Sequence, residues 1–106
     1  MNEKLAAILA ELRRHLEALS GPRLVQMALC GSQARGDAEP GSDIDVLDVL
    51  QGPVDAYEEI KRSSDIVAGL SLRCGVVISR VFVSSERFLH EQSPLLINVR
   101  REGVPV

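Results

Sequence analysis

Apolar side chains at Leu5, Ile8, Leu9, Leu12, Leu16 and Leu19 return every three or four residues between charged neighbours. That period draws one stripe along a helix, and it predicts α-helix from about residue 3 to residue 19. Gly21-Pro22 ends it. Residues 24–30, Leu-Val-Gln-Met-Ala-Leu-Cys, form a short apolar run between a turn signal and a glycine, which suits a buried strand. A Gly-, Pro- and Ser-containing stretch over 36–42 leads into a second run, Ile44 to Leu50, read as a strand with acids embedded in it.

Gly52-Pro53 closes that strand, and Pro53 suits the first turn of a helix reaching about residue 70. In that helix Tyr57, Ile60, Val67 and Leu70 are expected to face the core, with Glu58, Glu59, Lys61 and Arg62 toward water. Residues 76–83, rich in β-branched and aromatic side chains, predict a third strand. Ser84 suits the N-cap of a short helix through Phe88, and Ser93-Pro94 opens a last helix through Arg101 before Gly103. The order helix, strand, strand, helix, strand, helix implies an α+β domain of two layers, helices against one sheet.

Length adds one constraint: 106 residues, 45% hydrophobic, suit a single domain over 1–106 with one core. No apolar run nears the ~20 residues of a membrane span, and the N-terminus lacks the basic-then-apolar order of a secretion signal, so a cytoplasmic protein is expected. Cys30 and Cys74 stand 44 positions apart without a Cys-x-x-Cys or clustered histidines, which indicates neither a disulfide framework nor a zinc site. A net charge of −3 argues against a broad grip on duplex nucleic acid, which depends on neutralising phosphates.

The chemistry gathers around the second strand. Asp43 and Asp45 are one residue apart on a predicted strand, so their carboxylates share a face at about 6–7 Å along the chain. Two hard anionic oxygens near one spot repel each other unless a divalent cation or a proton relieves them, and Mg²⁺ favours one or two carboxylates with phosphate oxygens. Gly31 and Ser32 follow the first strand, where a missing Cβ lets backbone amides approach phosphate and a hydroxyl adds a donor. Arg35 adds a fixed positive charge, and Gly36 permits the turn toward the acids.

Other polar residues read as structural. His15 is expected to be solvated beside the first helix stripe, and Asp37 to serve turn chemistry. Asp48 has the opposite parity to Asp43 and Asp45 and is expected to be a solvated carboxylate near a strand end. Arg100 and Arg101 either complement the last helix dipole or touch phosphate or a partner.

Gly31-Ser32, ten intervening residues and Asp43-x-Asp45, each half preceded by an apolar run, together resemble the minimal nucleotidyltransferase family of the DNA polymerase beta superfamily. The resemblance runs from the first helix to the closing Arg101–Pro105. It implies a palm-like mixed sheet, with Mg²⁺ held by Asp43 and Asp45 as catalytic metal ligands and the ATP triphosphate contacted by Gly31 and Ser32. Many relatives supply a third carboxylate from the neighbouring strand, whereas residues 76–83 here contain no Asp or Glu and carry Ser79 and Arg80.

The resemblance further implies pairing with a HEPN-type ribonuclease toxin, whose tyrosine hydroxyl would receive AMP, making the chain an antitoxin. The competing expectation is a binding module of the same fold, weak or inactive in catalysis, that neutralises its partner by contact.

Overall fold

The computed structural model describes residues 2–106. Helix α1 (Glu3–Ser20) starts where the Asn2 side chain accepts the Leu5 amide at 2.7 Å, and it buries Leu5, Ile8, Leu9, Leu12 and Leu16. Strand β1 (Leu24–Cys30) then leads directly into the short helix α2 (Gly31–Arg35), so the segment after β1 is helical rather than open loop. Strand β2 (Ile44–Leu50), helix α3 (Ala56–Cys74) and strand β3 (Ile78–Ser84) form a crossover that sets β3 parallel to β2. Helices α4 (Ser85–His90) and α5 (Pro94–Glu102) follow, capped by the Ser84 and Ser93 hydroxyls as expected.

The sheet order is β3-β2-β1-β4, with β1 antiparallel to both neighbours. Strand β4 (Val104–Pro105) has no counterpart in the sequence pattern, because two residues are too few for a period. It is held by its context: the Val106 amide donates to the Met27 carbonyl at 2.8 Å, and Arg13 Nη1 donates to the Val106 carbonyl at 2.6 Å.

Helices cover both faces of the sheet, which corrects the expected two layers. Even-numbered β2 residues Ile44, Val46 and Leu50 pack with α1, Val67 and Leu70 of α3, Met27 and Phe82. Odd-numbered Leu47 and Val49 pack with Ala28, Val83 and the α5 residues Leu96 and Val99. A strand buried on both faces loses the alternation of a half-exposed one and becomes continuously apolar.

Helix α3 differs from its expected orientation. Glu59, Ser63, Val67 and Leu70 form its buried stripe, while Tyr57 and Ile60 are exposed. Its N-cap is Asp55, which accepts the Glu58 amide, so Pro53 lies ahead of the helix. Glu59 tolerates burial because Arg23 and Arg62 reach it at 3.3 and 3.4 Å. On the same face Arg80 of β3 donates to Ser63 Oγ at 2.8 Å and to the Ile60 carbonyl at 2.9 Å, pinning α3 to the sheet. Arg100 is structural too, joining α5 to the end of α4 through the Phe88 and Glu91 carbonyls.

Asp48 overturns its expectation most sharply. In register between Met27 and Phe82, it is fully buried on the α1/α3 face, and neither carboxylate oxygen has a hydrogen-bond partner. Burial pushes its pKa up to about 7, against the pull of Arg80 and Arg13. With a folded-state value above the ordinary 3.8, the native protein binds the extra proton. Stability from this group is therefore complete below about pH 4 and is lost as pH rises through about 7. We predict that Asp48→Leu, of similar size and apolar, flattens that decline and gains about 1–3 kcal/mol at pH 8, the scale of one unsatisfied buried polar group. Denaturant unfolding of both proteins at pH 5 and pH 8 measures it.

Candidate functional site

The site forms where β1 hands over to α2. Antiparallel register sets Cys30 opposite Asp45, and the parallel pairing sets Ser79 on the other side of Asp45. Asp45 is therefore the middle of three strands, half-buried, and points to the α5 face of the sheet.

Gly31 begins α2 with φ +65°. A Cβ built there would lie 2.6 Å from Asp45 Oδ2, so the space beside the carboxylate exists only because residue 31 has no side chain. Gly36 ends α2 with φ +82° and turns the chain away. The descent toward β2 is braced by the Ser42 hydroxyl, which accepts the Glu39 amide at 2.9 Å, and by Gln33, which donates to the Ser42 carbonyl at 3.4 Å.

A cavity of about 300 Å³ opens beside Asp45, lined among others by Gly31, Arg35, Ser79, Asn98 and Glu102. The structure thus brings Gly31, Arg35 and Asp45 to one space. Ser32 and Asp43 are outside its lining. Asp43 precedes β2 by one residue and is exposed, so the acidic pair spans a strand end instead of sharing a strand interior. A more open depression of about 650 Å³ lies on the far side of the same loop, toward the start of α1.

Arg35 is already engaged, with Asp37 at 3.3 Å and Glu102 at 3.8 Å, and all three side chains are substantially exposed. An incoming phosphate would compete with those carboxylates for the guanidinium. Asn98 and Glu102 enter from α5, some fifty to seventy positions from the motif, and no sequence spacing joins them to it. Cys30 also lines the cavity, but burial pushes its thiol up to about 11, so it stays protonated and is no nucleophile at neutral pH.

Asp45 offers hard carboxylate oxygens in an open cradle that a side chain at residue 31 would fill, and the exposed Asp43 is two residues away; this donor chemistry fits a small divalent cation with phosphate. Among the described residues, no three His, Cys, Asp or Glu side chains converge on one metal position. On β3, Ser79 sits opposite Asp45.

A sequence profile of the nucleotidyltransferase domain matches residues 9–100. Among solved structures, a Sulfolobus solfataricus protein assigned as a nucleotidyltransferase is similar in fold, with a TM-score of 0.60 at 19% identity over 99% of this chain and 86% of that one. A toxin–antitoxin structure with AMP-PNP gives a TM-score of 0.59 at 20% identity, over 89% of this chain and 68% of that one. A mutant form of the toxin–antitoxin MntA–HpeT gives 0.59 at 21% identity, over 100% of this chain and 72% of that one. At such identities the likeness is one of fold. No curated protein matches the sequence.

The Gly31–Asp45 approach predicts that Gly31→Ala costs about 1–2 kcal/mol from the left-handed backbone alone, and more if the Asp45 carboxylate cannot swing aside. Asp45→Ala in the same background should recover part of the loss by clearing the clash. A double-mutant cycle in thermal unfolding reads the coupling, and strict additivity would count against the close approach.

Proposed function

This chain belongs to the nucleotidyltransferase domain family, and from that premise we propose that it binds Mg-ATP and transfers AMP to a tyrosine hydroxyl of a HEPN-type ribonuclease toxin, acting as its antitoxin. The observation that carries the reading is the side-chain-free cradle at Gly31 against Asp45. In this assignment Gly31 and Ser32 receive the triphosphate through backbone amides and a hydroxyl, and Arg35 exchanges its carboxylate partners for phosphate. Asp43 and Asp45 hold the metal, which when bound neutralises charge on the phosphates.

The reaction is in-line attack of the acceptor oxygen on the α-phosphorus. The new O–P bond forms as the bond to pyrophosphate breaks, and the hydroxyl proton passes to solvent or a nearby base. Such chemistry depends on holding the acceptor close to the α-phosphate, worth about 7–11 kcal/mol of barrier when orientation is right. The domain provides the cradle, while its cavity has little surface to enclose an acceptor, so positioning falls to the partner. The toxin–antitoxin neighbours support a partner of that kind.

One observation favours contact-only neutralisation: Ser79 stands on β3 opposite Asp45, where a third acid would complete a metal shell.

Asp43→Asn with Asp45→Asn should abolish magnesium-dependent ATP binding in calorimetry while leaving the fold intact, since two exposed or half-exposed carboxylates carry little core packing. Unchanged affinity would remove the metal assignment. Intact-mass spectrometry of the HEPN-type partner, after incubation with the chain and Mg-ATP, should show added AMP that the double variant does not add. Neutralisation without added mass would establish the contact-only account.

A further inference from the structure

Strand β3 is an edge of the sheet, and it is an unusually open one. It pairs with β2 without interruption from Ile78 to Ser84, so no bulge twists it away. It contains no proline, and its one charged residue, Arg80, spends its side chain on Ser63 and Ile60 of α3 and does not guard the edge. The Ile44 amide donates to the Val77 carbonyl at 2.8 Å, which fixes the parallel alternation. Odd-numbered residues of β3 therefore turn their amides and carbonyls to β2, whereas Ile78, Arg80 and Phe82 turn theirs outward. Among the described residues, none of these outward groups meets a protein partner.

The opposite edge is treated differently. β1 is covered by β4, a two-residue strand containing Pro105. β4 covers β1 at Ala28 and Leu29, with the Val106 amide meeting Met27, so the long uninterrupted border of the sheet is the one at β3.

Register gives that edge a relation to the site. Ser79 is directly beside Asp45, and Ser79 and Val81 are exposed on the face that carries the cavity. A strand added at β3 would run about 9–10 Å from β2, two strand spacings. Its residue opposite Ser79 would share the face of Asp45, with only the small serine side chain between them. A long side chain ending in a hydroxyl crosses that gap, and serine or threonine does not.

We propose that the β3 edge is the docking site for an extended segment of the protein acceptor, which joins the sheet as a fifth strand and lays its hydroxyl-bearing aromatic side chain across Ser79 toward Asp45. This deepens the function proposed above and rests on it. It also gives Ser79 a reason: a carboxylate there would narrow the passage that the acceptor side chain crosses. A second copy of this chain is the competing occupant, but pairing through β3 would close the Ser79–Val81 side of its own cavity.

The test isolates a single main-chain donor. Arg80→Ala removes the bonds to Ser63 and Ile60 and keeps the outward amide; Arg80→Pro removes the same bonds and the amide, at an edge position that tolerates proline. Both variants should bind Mg-ATP alike. Transfer of AMP to the HEPN-type partner should fall about tenfold further in Arg80→Pro than in Arg80→Ala, the scale of one lost hydrogen bond. Equal transfer by the two variants would overturn the docking mode.

Amide hydrogen exchange on the unaltered chain needs neither variant to fold. Adding the partner should protect the Ile78, Arg80 and Phe82 amides. Transfer without that protection would overturn the edge and leave the proposed reaction standing. Protection without transfer would support the edge and remove the reaction. Protection that rises with the concentration of the chain alone would assign the edge to self-association and overturn the proposal.

Discussion

The antiparallel register of β1 and β2 is the constraint on which the site depends. It places Cys30 against Asp45 and so brings Gly31, the next residue, to the carboxylate. A slip of one residue would turn Asp45 into the α1/α3 core and Ile44 toward the cavity, reversing both faces of the strand at once. Two apolar surfaces hold the register: Ile44, Val46 and Leu50 on one side, Leu47 and Val49 on the other. Burial on both faces makes the position of an acidic residue in this strand costly to change, so the Asp45 carboxylate is held in one place beside Gly31.

Local signals in the sequence carried far. The leucine stripe of α1, the three longer strands and the serine caps of α4 and α5 are legible, because each is written within a few residues. The buried face of α3 is not, since its apolar residues do not all mark burial. Tyr57 and Ile60 are exposed while Glu59 and Ser63 are buried, satisfied by Arg23 ahead of β1, Arg62 of α3 itself and Arg80 of β3. Those partners are distant in sequence, and no window of the chain contains them.

Asp48 teaches a narrower lesson. Its parity with Ile44, Val46 and Leu50 assigns it to the core face, and the expectation of a solvated carboxylate sets that parity aside because the residue lies near the strand end. Where periodicity and polarity disagree inside a strand flanked by apolar residues, the geometry of the strand decides the side chain's direction, and the cost falls on the side chain. The α5 contribution to the cavity belongs to another class: Asn98 and Glu102 reach it through tertiary folding alone.

The two borders of the sheet are unequal, and that inequality limits what the molecule can build. A sheet with two bare borders is a repeating unit: each strand added exposes another, and growth has no natural end. Here Val104-Pro105 covers part of one border, at Ala28 and Leu29, and Val106 is held beside it by its amide bond to Met27 and by the Arg13 guanidinium. A long, uninterrupted run of outward main-chain groups is then found on one border alone, so the sheet has a single direction in which extension is favoured.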